Sequence, residues 1–369
     1  MYYNWQHPKW PKFEYDLTSI QDIIYKYAKI AGLTTGALNG ISNNFSQDTI
    51  IDLMVEEASC TSIIEGQIFS HEDIRSSIRN QLALNSPKKP ILDPKAEGIA
   101  ELMISLRESY HLDLSESMLF EWHTLLFKNY HDDALNIGSW RKCLEPMQIV
   151  SGPIGNEKVF FEAPPTKQVA KEMEVFIDWF NNSLNQSMPG PVRAGIAHLY
   201  FESIHPFADG NGRIGRMISE KALSQDLGYP CILSLSKVIY KTRNEYYNQL
   251  TKASGYTVNI TAWLNYFIQT VYKAQLNAKH QVQFVISKSS FWHKFSGQLQ
   301  SRQEKVLKRM FKEGINGFLG GITAKKYMII TNCSKATATR DLAELLELGC
   351  LTKLNTAGRS TAYELNLSS

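Results

Sequence analysis

The sequence predicts a mainly α-helical protein with one small β-hairpin and a separate C-terminal helical unit that closes on a second hairpin. Three observations carry that prediction. Apolar residues recur at helical spacing through most of the 369 residues. Before residue 299 the only strand signal is the alternating pair Met147–Val150 and Lys158–Phe161, set around a Gly/Pro/Asn turn. Strand–helix alternation is missing from the pattern, which argues against a parallel α/β sheet.

Taken in order, an extended aromatic start (Trp5, Pro8, Trp10, Pro11) gives way to helical periodicity over 17–30 and again over 46–65. In the second stretch Ile50, Ile51, Met54, Val55 and Ala58 share a face, Ser46 reads as its N-cap and Gly66 as its stop. The Pro/Lys-rich run Ser86–Pro94 reads as a connecting loop. Amphipathic helices follow at roughly 96–110, 115–130, 166–183, 191–204, 212–227, 236–252 and 258–286. From Leu299 the pattern changes. A helix over 302–313 precedes Gly-rich 314–321; Thr323 and Ser334 then cap two short helices, the second closed by Gly349, and strands follow at 351–354 and 361–365. That is the outline of a winged helix-turn-helix, with Leu342, Leu345, Leu346 and Leu348 expected in its core. The domains expected are 1–90, an N-terminal helical region; 91–290, a helical core; and 299–369, the winged unit.

Composition narrows the function classes. With 43% hydrophobic and 11% aromatic residues, general disorder is excluded. The apolar runs fall far short of the ~18–20 residues of a membrane span. The N-terminus has neither the basic nor the apolar region of a signal peptide. Five cysteines at unrelated spacings, without CxxC, suit reduced thiols in a cytoplasm rather than a disulfide framework or a zinc site. The net charge of +3 is uneven: residues 299–369 carry 11 Lys+Arg against 6 Asp+Glu, so the basic excess sits in the tail.

The chemistry is concentrated in His205-Pro-Phe-Ala-Asp-Gly-Asn-Gly-Arg-Ile-Gly-Arg216. Pro206 forces His205 out of helical geometry, so the preceding helix should end near Ile204. Gly210 and Gly212 permit a tight turn and close backbone approach to a ligand. The helix that begins there offers free N–H groups and the positive end of its dipole to an anion. Arg213 and Arg216, at i and i+3, place two guanidinium forks on one face and suit two phosphates. Asp209 supplies an oxygen ligand of the kind that holds Mg²⁺ beside phosphates, and His205 is a general base. Gly210–Gly215 also satisfies GxGxxG, but a helix rather than a strand precedes it, which rejects a dinucleotide-binding unit. His198, Glu202, His205 and Asp209 fail as a zinc set because Pro206 breaks the helix that would align them; His198 is read as a packed core histidine.

This run resembles the motif of the Fic family, H-P-F-x-[D/E]-G-N-G-R-x-x-R, and matches it at every fixed position. The likeness extends to the helix 197–205, to 243–247, and to Gly138–Arg141 with the 147–161 hairpin, which stand where the family has a target-binding flap. The resemblance implies a helical Fic core and transfer of AMP from ATP to a hydroxyl of a target protein. In that reading His205 deprotonates the hydroxyl and Asp209 holds Mg²⁺. Asn211 with the amides around Gly210 and Gly212 takes the α-phosphate, and Arg213 and Arg216 hold the β- and γ-phosphates. Phe207 anchors the loop. Thr61-Ser-Ile-Ile-Glu-Gly66 resembles the family's inhibitory-helix motif, so Glu65 is expected to restrain the enzyme in cis by pairing with Arg216. Glycine at both 210 and 212, where a phosphotransferring branch carries a lysine nearby, favours AMP transfer.

The tail admits two readings. Lys335, Thr337, Thr339 and Arg340 open its second helix and Arg359 lies on the wing, where they would meet the phosphates of DNA; docking to protein is the alternative. The partners expected are therefore ATP and a target protein, itself included, with DNA through the tail, no membrane, and room for a homodimer. The rival functional class is a DNA-binding regulator whose core only senses a nucleotide, and a third is transfer or removal of another nucleotide group.

Overall fold

The computed structural model describes residues 2–40, 43–130, 135–143, 145–151, 158–354 and 361–367. Among them are fourteen α-helices and two antiparallel hairpins, in line with the helical periodicity. The chain divides into two compact units, one formed by Met1–Thr35 with Ile50–Ala278 and the other by Gly36–Thr49 with Lys279–Ser369.

The first unit draws on α1 (Gln21–Asn39), α2 (Asn43–Ile64), α3 (His71–Gln81), α4 (Lys95–Ser109) and α5 (Glu116–Leu126). The hairpin β1 (Gln148–Ser151)–β2 (Lys158–Glu162) follows, with Ile149 opposite Phe161 and an irregularity between Ile149 and Val150. Then come α6 (Thr166–Ser183), α7 (Gly190–Ile204), α8 (Asn211–Leu227), α9 (Leu235–Lys241), α10 (Arg243–Ala253) and α11 (Thr261–Lys294). The axis of the unit is α7, buried along its entire length because it is apolar on nearly every side. Its few polar groups find partners: the Arg193 guanidinium donates to Ser183 Oγ, the Phe180 carbonyl and Gln225 Oε1. The N-terminal segment lies on the same helix, with Asn4 Nδ2 donating to Ser203 Oγ at 2.8 Å and Trp10 edge-on to Tyr200.

Several local expectations change. Ser46 sits inside α2 rather than capping it, since the helix starts three residues earlier. Helix α3 escapes the periodicity because it is short and polar on average, yet Ser70 caps it by accepting from the N–H groups of Glu72 and Asp73. The stretch expected as one helix over 236–252 is two, broken at Thr242. Its hydroxyl bonds back to the Val238 carbonyl at 3.1 Å and its φ of −121° leaves the helical range, without a glycine or proline to announce the break.

The second unit contains the end of α11, then α12 (Ser301–Phe311), α13 (Ala324–Thr331), α14 (Lys335–Glu347) and the hairpin β3 (Leu351–Lys353)–β4 (Tyr363–Leu365). Thr323 and Ser334 cap α13 and α14 as the sequence indicates, and Gly349 turns the chain at φ +80°. Its core joins Phe291, Phe295, Leu307, Phe311, Tyr327, Leu342 and Leu345. Inside, Asp341 accepts from Tyr327 Oη at 2.7 Å and Arg302 Nε at 3.2 Å. Leu346 and Leu348 are not core: they are 38% and 40% exposed, because α14 buries the face of Ala338, Asp341, Leu342 and Leu345. Lys335, Thr339 and Arg340 are exposed on α14 and Thr337 half-buried, while Arg359 lies outside the described residues.

Candidate active site

Helix α7 ends at Ile204, and His205 takes the left-handed conformation at φ +52°, ψ +60°. A non-glycine residue held there stores strain of order 1–3 kcal/mol, so its surroundings must over-determine it. Arg141 does this: its Nε donates to the His205 carbonyl at 2.9 Å and its backbone N–H to the Pro206 carbonyl at 2.9 Å. Its Nη1 and Nη2 are fixed by Thr166 Oγ1 and the Pro164 carbonyl. The buried Phe207 ring then stacks on His123, centroids 4.2 Å apart and nearly parallel. His123 accepts the Gly138 N–H at Nδ1, so its Nε2 donates to the Asp209 carbonyl at 3.2 Å. Burial lowers the His123 pKa to about 4, which keeps that ring neutral.

The turn closes through Asn211. Its Oδ1 accepts the Phe207 N–H and its Nδ2 donates to the Phe207 carbonyl, both at 2.9 Å. This revises one expectation: the Asn211 side chain is turned inward as a loop clasp, which leaves the backbone amides of the turn as the groups placed for an anion. Gly210 is the N-cap of α8 at φ +85°, and a Cβ there would lie 2.9 Å from Leu126 and Phe127. Both requirements demand glycine. Asp209 stays half-exposed, its Oδ1 accepting the Gly210 N–H and its Oδ2 3.4 Å from Arg213 Nη2. A single rim carboxylate suits a cation that takes its other ligands from phosphate oxygens and water.

Both motif arginines are almost wholly buried and both are occupied by the end of α2. Arg216 donates from Nε to Thr61 Oγ1 at 2.7 Å and from Nη2 to the Thr61 carbonyl at 3.1 Å and Glu65 Oε1 at 2.7 Å. Burial alone would lower its pKa, but the Glu65 carboxylate outweighs this and holds it above the ordinary arginine range. Arg213 donates from Nη1 to Gln67 Oε1 at 2.5 Å and lies over the Phe127 ring at 5.0 Å. Gly66 makes the double contact feasible. At φ +78° it reverses the chain after α2, and Gln67 N–H returns to the Ser62 carbonyl. Gly212 leaves the space that Glu65 fills, since a Cβ there would stand 2.2 Å from Glu65 Oε1.

These groups face a cavity of about 740 Å³ lined by His205, Asp209 and Gly210–Gly212, by Tyr247 and its neighbours on α10, and by Met147, Ile149, Phe160 and Phe161 of the hairpin. The structure thus places His205, Asp209, Gly210–Gly212 and Glu65 around one space, with Arg213 and Arg216 buried behind it against Gln67, Thr61 and Glu65. It adds Gln67 and His123, for which the sequence carries no signal, and gives Arg141 a role that its motif neighbours only hinted at. The residues expected to touch nucleic acid belong to the other unit.

A histidine loop that feeds a helix N-terminus and two buried arginines, inside a helical core, is a set of groups suited to an anion. Residues 113–223 match the Fic/DOC family model, and residues 3–84 a domain of unknown function (DUF4172). The chain carries a Fic-family domain. It is 29% identical over 139 residues to the protein adenylyltransferase fic-1 of Caenorhabditis briggsae, covering 36% of this chain and 26% of that protein. Protein adenylyltransferase Fic of Drosophila willistoni is 33% identical over 91 residues, covering 25% and 17%. The chain therefore spans only about a quarter or less of these relatives. In fold it is similar to a Fic family protein from Desulfovibrio desulfuricans, with a TM-score of 0.57, 20% identity and coverage of 95% and 97%. A Fic domain containing signaling protein from Bacteroides thetaiotaomicron gives 0.53, 17% identity and coverage of 72% and 97%.

Proposed function

We propose that the protein transfers AMP from ATP to a hydroxyl side chain of a target protein and releases pyrophosphate. The observation that carries the reading is the convergence, on one cavity, of a neutral histidine and a helix N-terminus backed by two buried arginines. Burial lowers the His205 pKa to about 4, so the ring is free to accept a proton at neutral pH. In this reading the amides of the 210–212 turn receive the α-phosphate, and Arg213 and Arg216 hold the β- and γ-phosphates. Asp209 would hold a magnesium ion, which when bound offsets the negative charge of the phosphate oxygens. The names of the relatives support the same reaction.

Glu65 restrains this reaction in cis, because a carboxylate on Arg216 stands where a phosphate must bind. The exposed Lys335, Thr339 and Arg340 on α14 support a nucleic-acid contact for the C-terminal unit, which we read as a winged helix.

The test is incubation of the purified chain with a lysate, Mg²⁺ and ATP labelled at the α-phosphate. Label should become covalently attached to protein. His205→Ala should abolish this while ATP binding persists, since the phosphate contacts do not involve the imidazole. Label arising only from the γ-phosphate would replace the reading with phosphotransfer. Tight ATP binding without label from either position would replace it with a nucleotide sensor.

A further inference from the structure

The buried carboxylates of the first unit differ in how they are held. Glu57 of α2 accepts from Ser234 Oγ, Ser236 N–H and Ser236 Oγ, the pattern of a structural buried acid. Glu202 of α7 is just as enclosed, 6% exposed, yet its Oε1 has no hydrogen-bond partner among the described residues. That oxygen faces the gap left by Gly215, where a Cβ would lie 2.8 Å from it. Its Oε2 lies 3.6 Å from His205 Nδ1, within ion-pair range and beyond a hydrogen bond. Burying a carboxyl without full hydrogen bonding is costly, so its position calls for a reason outside packing.

The geometry around His205 supplies one. Its Nδ1 lies 3.3 Å from the main-chain carbonyl of Glu202, which only accepts, so Nδ1 carries the hydrogen and Nε2 keeps the lone pair. A ring that then takes a proton at Nε2 becomes a cation in a buried site. Arg141 beside it opposes that charge; Glu65 and Asp209 favour it from further off. Glu202 itself is faced by Glu65, by Arg216 from α8 and by Tyr246 from α10. Burial, reinforced by Glu65, raises the Glu202 pKa to about 8, while burial lowers that of His205. Each ion alone is penalised; side by side they compensate.

We propose that Glu202 is the positioning residue of His205, its carboxylate balancing the imidazolium formed when the ring takes up the proton of the attacking hydroxyl. The inference rests on the AMP-transfer reading and deepens it. The hydroxyl oxygen bonds to the α-phosphorus as the bond from that phosphorus to pyrophosphate breaks. The hydroxyl proton moves to Nε2, and Nδ1 keeps its own hydrogen opposite Glu202.

The experiment compares the full chain with Glu202→Gln, an isosteric change that keeps the main-chain carbonyl contact but removes the charge. Nitrogen-15 histidine spectra, with His205 assigned from His205→Ala, should show no step in its signal near pH 8 in the variant. In the wild type the same signal should step near pH 8 as Glu202 ionises, a readout that needs no variant to fold. The transfer rate of the wild type should rise with pH toward 8, with the variant flat over pH 6–9 and about tenfold slower at the top, at unchanged KM for ATP. A purely structural glutamate would leave the wild-type His205 signal without a step near pH 8 and the variant with an unchanged pH profile, and that result overturns the proposal. The spectra read the pair without turnover, so failure of the transfer reading alone would leave them in force.

Discussion

Glu65→Gly removes a charged contact from a guanidinium that is 1% exposed, and its effect can be sized from the geometry. The contact is a charge-assisted hydrogen bond at 2.7 Å, of a kind that contributes about 1.5–3 kcal/mol. A phosphate seeking Arg216 must first displace it, so its removal should raise the population of binding-competent protein by about 10- to 100-fold, at ~1.4 kcal/mol per decade. Arg216 would not be set adrift, because Thr61 still holds its Nε and Nη2. Glu65 lies just past the last residue of α2, so glycine there costs little helix propensity. The guanidinium does lose its counter-charge, and stability should fall by about 1–2 kcal/mol. The assay is the initial rate of AMP incorporation at subsaturating ATP, with Arg216→Ala and the double variant as controls. Arg216→Ala should be nearly inactive with or without Glu65. Equal rates for wild type and Glu65→Gly would refute the reasoning and reduce Glu65 to a structural partner of Arg216. Gln67 remains on Arg213 in the variant, so Gln67→Ala should add a smaller, separate gain of a few-fold, consistent with a neutral hydrogen bond of about 1 kcal/mol.

Acid should weaken the first unit through its histidines, against the opposite trend of Glu202 and Glu220, whose pKa values burial raises to about 8. Burial lowers His123 and His205 to about 4 and His198 to about 3, so each is neutral in the folded state, while the unfolded chain takes up protons near pH 6.5. Their contribution is present above pH 6.5 and is lost as pH falls toward 4, so His123→Gln should remove part of that loss, and a pH dependence of Tm identical to wild type would contradict this environment. Gly210→Ala must adopt φ +85° and push against Leu126 and Phe127, so it should lose about 1–3 kcal/mol in denaturant titration, with no loss counting against the turn geometry. If the C-terminal unit binds DNA through phosphates, Lys335→Ala and Arg340→Ala should each weaken binding and reduce the salt slope by about 1, and no gel shift at low salt would leave protein docking as its role.

What the sequence by itself determined is what short-range physics dictates. Apolar spacing set the bounds of α6 at 166–183; Thr323, Ser334 and Gly66 marked helix ends through their own backbone preferences; and Pro206 stopped α7 at Ile204. The motif placed His205, Asp209, Arg213 and Arg216 within a dozen residues, so that turn and helix geometry alone brought them to one spot. Charge complementarity was enough to expect a partner for Glu65, although that partner is 151 positions away. What only the tertiary structure decided is where each side chain spends its hydrogen bonds. Asn211 faces Phe207, Gln67 reaches Arg213, His123 supports the loop, and Glu202 stands buried beside His205 with one oxygen unclaimed among the described residues. Neither the break at Thr242 nor the exposure of Leu346 and Leu348 follows from composition, because an amphipathic pattern names a face without naming what covers it. Burial depends on which helices meet, and so the charge states of His205 and Glu202 come into being only when α7 is enclosed.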